Sequence, residues 1–243
     1  MNLIILTCRN NVALSRACLP TLLNQHVPVN VLIADHASSD GTASWARSVA
    51  ARDPRIFRLT KREHTSVAAL WNESLRWAWE HGCGRALVVN ADTELMPQTF
   101  EVLRLFTLPL WDKGTPSDPG MATCVSVRER ERLIEPNRFD DRPHPDFSCF
   151  MIARWAWEEI GGFDENFHGA FFEDNSAHVE MYRRGIRAIN TGLPFLHHGS
   201  MTIKNADRSE QKRISEQAEL NRQYFFSKYG CYPGTKAYEE MFK

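Results

Sequence analysis

Several signatures of familiar chemistry are missing from this 243-residue chain. No G-x-G-x-x-G follows the first apolar run, which argues against a dinucleotide oxidoreductase, and no G-x-x-x-x-G-K-[ST] is present to cradle a triphosphate. A G-x-S-x-G elbow is absent, so the usual serine hydrolase arrangement is not encoded. Neither H-E-x-x-H nor paired C-x-x-C occurs, which removes the common zinc sites. No stretch approaches the ~20 apolar residues of a membrane span. Charge of one sign is lacking too: the net charge is −1, which argues against non-specific binding to duplex DNA. The six cysteines are scattered without a pairing pattern, so reduced thiols and a cytoplasmic setting are expected. The opening "MNLIIL" has no basic segment before it, and the fold is expected to start at residue 2.

What is present describes an ordinary globular chain. At 27.9 kDa, with 43% hydrophobic and 24% charged residues, it is long enough to bury about 70–75% of its unfolded surface without disulfide support. The first half alternates strand and helix signals. Leu3–Leu6, Val29–Asp35, "RIFRLT" and "RALVV" read as strands. Helices are expected over Val12–Asn24, with Pro20 kinking or dividing it, over Thr42–Arg52, and over Ser66–His81, capped by Gly82. This alternation predicts βαβ units and a parallel sheet. In such sheets ligands bind beyond the carboxyl ends of the strands, where Asp35 and Asp92 both fall.

The second half is less regular. "MPQTFEVLRLF" reads as a helix, "MATCVSV" and "FSCFMIA" as strands, and "RWAWEEIGG" as a short helix. A helix opens at Glu173-Asp174-Asn175 and closes at Gly185, "IRAIN" reads as an edge strand, and a polar helix runs from Asp207 to Tyr229. The charged run 128–146 is either a solvated loop or a lid over a ligand. Its Arg128, Arg130, Arg132 and Arg138 are four unranked candidates for neutralising a diphosphate.

The stretch "RALVVNADTEL" carries the most chemistry. An apolar strand ends in Asn90-Ala91-Asp92-Thr93-Glu94, and period-2 geometry sends Asn90 and Asp92 to one side. A hard cation such as Mg²⁺ or Mn²⁺ wants such oxygen ligands and shares them with substrate phosphates. Glu94 could add a ligand or face solvent. Asp174 stands at a helix N-terminus, where the macrodipole favours the ionised carboxylate.

Taken in order, "LTCRNN", "VLIADHASSDGT", "ALVVNADTEL", "GGFDENF", "FFEDNSAHVEMYRRG" and "HHGS" resemble the family 2 glycosyltransferases of the GT-A fold, in particular their rhamnosyltransferase-like branch. The resemblance covers about residues 2–230. It implies a single α/β domain with a Rossmann-like, mostly parallel central sheet flanked by helices. Residues 1–95 would form its nucleotide-binding half, 96–200 its acceptor and catalytic half, and 201–243 a C-terminal helical segment. It further implies an inverting, metal-dependent transfer of a sugar from a nucleotide-sugar donor, UDP- or dTDP-linked, to a hydroxyl acceptor whose identity is not encoded.

By resemblance, Thr7, Arg9, Asp35, Asn72, Asn90, Ala91 and Asp92 bind the donor. Thr7 and Arg9 also suit ordinary turn positions, and Asn72 an ordinary helical one. Asp92 matches the last Asp of the family's D-x-D and would hold Mn²⁺ or Mg²⁺, with Asn90 replacing the first Asp. His197 would complete the metal shell, although His198 is the alternative. Glu173 and Asp174 match the catalytic E-D pair, with Asp174 as the base; Ser176 stands where the family often has another Asp. Two rival functions remain open: a non-catalytic nucleotide-sugar-binding protein of this fold, and a sugar-1-phosphate nucleotidyltransferase. The second lacks its glycine-rich first loop, since "TCRNNVALSR" holds no glycine.

Overall fold

The computed structural model describes residues 1–61, 63, 65–108, 118–134, 139–143, 147–199, 201–204 and 208–243, with only the backbone of 202 and 203. Eight strands among these form one sheet: β1 (Leu3–Cys8), β2 (Asn30–Asp35), β3 (Ile56–Thr60), β4 (Arg85–Asn90), β5 (Thr93–Glu94), β6 (Pro119–Val127), β7 (Cys149–Ala153) and β8 (Arg187–His197). Their spatial order is β3-β2-β1-β4-β7-β6-β8-β5. The first half pairs entirely in parallel, β1 lying between β2 and β4 and β2 against β3. Beyond β4 the sheet turns mixed: β7 runs antiparallel to β4 and β6, β6 and β8 are parallel, and β5 is antiparallel to β8. The mostly parallel sheet expected from sequence is thus parallel from β3 through β4 and mixed beyond.

Buried on both faces, β1 reads as an unbroken apolar run, the pattern of strands covered by helices on either side. Its alternate residues feed two cores. Leu3 and Ile5 join α3 (Val67–Glu80), α5 (Arg154–Ile160) and α6 (Glu173–Arg183) on one face. Ile4 and Leu6 join α1 (Val12–Leu23), α2 (Thr42–Ala50) and α4 (Thr99–Phe106) on the other. The remaining helices are α7 (Met201–Lys204), α8 (Arg208–Tyr229) and α9 (Lys236–Glu240). A third cluster of Phe167, Val179, Phe225, Tyr238 and Phe242 fastens α8 and α9 to the back of α6. The C-terminal segment is therefore packed onto the domain, not appended to it.

One expectation is corrected here, and one strand proves longer than expected. Pro20 neither ends nor divides α1, which continues to Leu23, with the Asn24 amide bonding the Pro20 carbonyl at 3.0 Å. The strand expected at "IRAIN" is longer than that stretch: β8 runs eleven residues, paired with β6 from Arg187 onward and with β5 only at Leu196 and His197. Within it the Asn190 side chain accepts the Gly192 amide (2.9 Å), and Asn190 exchanges backbone bonds with Asp140.

Candidate active site

Strand ends and helix starts converge on a crevice of about 970 Å³ beyond the carboxyl ends of β1 and β4, within the range of ligand sites. Thr7, Arg9, Asn90, Ala91, Asp92, Glu173, Asp174 and His197 all line it. The backbone here is strained: Asn10, Asn11, Ala37, Phe171 and Phe172 have φ between 54° and 84°. Non-glycine residues in that region cost about 1–3 kcal/mol each and collect at functional sites. Phe171 and Phe172 lead directly into Glu173. They are held by Asn221 on α8, whose Nδ2 lies 2.8, 3.0 and 3.2 Å from the carbonyls of His168, Ala170 and Phe171.

The β4 end is tied into a chain of hydrogen bonds. Thr7 Oγ1 donates to Asn90 Oδ1 (3.0 Å), and Asn90 Nδ2 donates to Ser148 Oγ (3.1 Å). Ser148 Oγ in turn lies 3.5 Å from His197 Nε2, which is 3.4 Å from Asp92 Oδ2. Backbone pairing of β5 with β8 sets this meeting, since Thr93 is in register with His197 and the His198 amide donates to the Asp92 carbonyl at 2.9 Å. Burial alone would raise the Asp92 carboxyl. The hydrogen bond and charge of His197 and the Met201 amide (3.2 Å) outweigh it, so the group stays below its ordinary range.

His198 and Glu94 do not line the crevice. They face each other at 3.1 Å, and Arg130 reaches both Glu94 oxygens at 2.8 and 2.6 Å. Asp92 and His197 remain as one carboxylate and one imidazole, and among the described residues no group of three or more His, Cys, Asp or Glu could hold a metal. That donor set fits a hard divalent ion, which typically takes one or two carboxylates and fills its other positions with water and substrate phosphates.

Asp35 is placed differently. It is 1% exposed and does not line the crevice, although its register partner Cys8 and its neighbour His36 do. Oδ1 accepts the Ser38 amide at 3.3 Å while Oδ2 is buried without a partner, and burial pushes the carboxyl upward. Asp40 serves two helix starts: it accepts the Thr42 amide of α2 (3.1 Å) and the Val12 amide of α1 (2.7 Å).

Asn72 is not at the crevice. Its Oδ1 accepts from Trp157 Nε1 (3.0 Å) and the Phe163 amide (2.8 Å), while Nδ2 lies 2.8 Å from both the Phe163 carbonyl and Glu165 Oε1. It is the hub that pins "GGFDENF" to α3. Gly162 is required beside it, because any Cβ there would come 2.9 Å from Asn72 Oδ1.

Glu173 is buried, and Oε2 has no partner. Burial first, and the neighbouring Asp174 second, push its carboxyl well above the ordinary range. Asp174 Oδ1 accepts the Asn175 amide at 2.7 Å. Ser176 points away, sharing a 2.7 Å hydrogen bond with the Tyr229 hydroxyl.

At the start of α8, where the sequence singles out no individual residue, Glu210, Arg213, Ile214 and Gln217 line the crevice. Nothing local marks them, because only the third core cluster carries α8 back across the strand ends. Of the charged run 128–146, Arg128 lines the crevice. Arg138 lies outside the described residues, as does Ser200 of "LHHGS".

The sheet and crevice together define a fold of the GT-A glycosyltransferase kind. A mannosyltransferase from Pyrobaculum calidifontis, solved with GDP-Man and Mn²⁺, superposes with a TM-score of 0.61 at 18% identity, covering 99% of this chain and 82% of that one. GalNAc-T7, solved with UDP, GalNAc and Mn²⁺, gives 0.62 at 8% identity over 81% and 43%. TarS 1–349 of S. aureus gives 0.60 at 14% identity over 95% and 74%. Residues 3–106 match the model described as glycosyl transferase family 2. Undecaprenyl-phosphate mannosyltransferase of Micrococcus luteus is 30% identical over 91 residues, 36% of this chain. The matched part spans 37% of that relative's length.

Proposed function

We propose that the chain transfers a sugar, with inversion, from a nucleotide-sugar donor to a hydroxyl acceptor. One observation carries the reading: a single crevice holds Asp92 and His197 on one wall and Asp174 at the start of α6 on another. Asp174 takes the acceptor's hydroxyl proton, the freed oxygen bonds to the anomeric carbon, and the bond from that carbon to the diphosphate breaks. A single base acting opposite the leaving group inverts the centre. Burial, and then the neighbouring Asp174, push the Glu173 carboxyl upward, which disfavours a second charge beside Asp174. Asp92 and His197 would hold Mn²⁺ or Mg²⁺. When bound, the ion supplies Lewis-acid stabilisation of charge on the departing diphosphate.

Thr7, Arg9, Asn90 and Ala91 line the donor end. A UDP- or dTDP-linked donor is supported by the unpartnered Asp35 Oδ2, an acceptor for the imide N–H of uracil or thymine once the Ser38 turn admits the base. The rhamnosyltransferase-like assignment rests on Asn90-Ala91-Asp92 at the end of β4. The three-part division at residues 95 and 200 belongs to the same reading. So does a cytoplasmic setting, supported by six buried free cysteines. Among the described residues no helix is long and apolar enough to cross a membrane.

The test is direct. Incubation with UDP-, dTDP- and GDP-sugars and Mn²⁺, alone and with an acceptor array, should give donor hydrolysis and a product heavier by one sugar. Binding of donor without turnover under any condition would favour the non-catalytic alternative, the reading to which Asn90 in place of aspartate points.

A further inference from the structure

Four lysine and arginine side chains among the described residues line the crevice: Arg9, Lys61, Arg128 and Arg213. Three of them hold carboxylates. Arg213 bonds Glu210 at 2.7 Å, Arg9 lies 3.5 Å from the same oxygen, and Lys61 pairs with Glu73. Arg128 is different: its Nη1 donates to a neutral acceptor, the His197 carbonyl, at 2.8 Å. That bond takes one of five guanidinium N–H donors and cancels none of the charge.

The guanidinium rests against the backbone of residues 197–199. Gly199 has φ +83°, and a Cβ added there would collide with Arg128 Nη1 and come 2.8 Å from Cζ. Glycine at 199 suits the left-handed turn after β8, and the Arg128 guanidinium lies over its bare Cα. The seat follows immediately on His197, whose ring faces Asp92. A planar, permanently charged fork beside that pair matches two oxygens of one phosphate group, a match a lysine cannot reproduce. The other arginines of the run are placed otherwise. Arg130 is spent on Glu94, and Arg132 does not line the crevice.

We propose that Arg128 binds the sugar-bearing phosphate of the donor and of the departing nucleoside diphosphate, and so sets the site's preference for diphosphates over monophosphates. This rests on the glycosyltransferase reading and adds a recognition residue to it. Arg128 makes its contact directly, independent of the ion at Asp92 and His197.

Calorimetry tests it with UDP, dTDP and GDP and the corresponding monophosphates, each in Mn²⁺ and in EDTA. Arg128→Ala should weaken the tightest diphosphate by about 10–100-fold, the scale of a lost charged hydrogen bond, and its monophosphate by less than about threefold. Arg128→Lys should fall between. Gly199→Ala, which keeps every charge but fills the seat, should move diphosphate affinity in the same direction as Arg128→Ala. Thermal melts confirm that each variant folds. Diphosphate affinity unchanged in a folded Arg128→Ala, or an equal loss for both nucleotide classes, would overturn the assignment and leave the glycosyltransferase reading standing. Failure of the wild type to bind any nucleoside diphosphate would overturn both.

Discussion

His197 Nε2 stands 3.4 Å from Asp92 Oδ2, a contact made by two strands that lie far apart in the chain and pair at their ends. The same carboxylate accepts the Met201 amide where α7 begins. One buried acid therefore joins the end of β4, the end of β8 and the start of the C-terminal helices.

Asp92→Asn should lower transfer and donor hydrolysis by roughly 10²-fold or more, the scale of losing a transition-state charge contact. The fold should persist, because Asp92 faces the crevice. EDTA should reproduce the loss in the wild type, and Mn²⁺ or Mg²⁺ should reverse it. Full turnover in EDTA would refute metal dependence.

Asp174→Asn separates chemistry from binding. Loss of a positioned base should cost about 10²–10⁴ in turnover, while calorimetry should find nucleoside diphosphate affinity within a few-fold of wild type. A wild-type rate would rule out this base.

Glu173 should make stability fall as pH rises. Its ordinary value of 4.5 is raised in the fold to about 8, so between those limits the native state binds more protons than the unfolded one. Its contribution is complete below pH 4.5 and lost towards pH 8, with a slope of at most about 1.4 kcal/mol per pH unit. Urea melts of Glu173→Gln across pH 5–8 should lose that slope. An unchanged profile would show Glu173 ionised in the native state.

Asn72→Ala should act on the fold and not on the donor. It strips partners from Trp157 Nε1 and from both backbone groups of Phe163, and unsatisfied buried groups cost about 1–3 kcal/mol each. Thermal melts should show a clear drop, with KM for the donor unchanged in the folded fraction. A raised donor KM with an unchanged melt would return Asn72 to the donor site.

How much of this was legible depends on how local each signal is. The unbroken apolar run of β1 and the helical period of α3 identify their elements from neighbouring residues alone. Asn90-Ala91-Asp92 is a local departure too, polar groups following Leu87, Val88 and Val89 without a turn glycine. Glu173 and Asp174 are readable as acids in the first turn of a helix. The loop contacts of Asn72 were not legible, because a buried polar side chain looks the same in sequence whether it serves a ligand or a loop.

The sequence by itself determined the alternation of strands and helices, the parallel half of the sheet, and the acids at the ends of β4 and at the start of α6. These follow from periodicity and capping, which act over a few residues. Only the tertiary structure decided that His197 and not His198 meets Asp92, that α8 crosses the crevice, and that Arg128 sits over Gly199. Each of those depends on which strand lies beside which, and sheet order is set by burial summed over the whole chain, a quantity no short stretch contains.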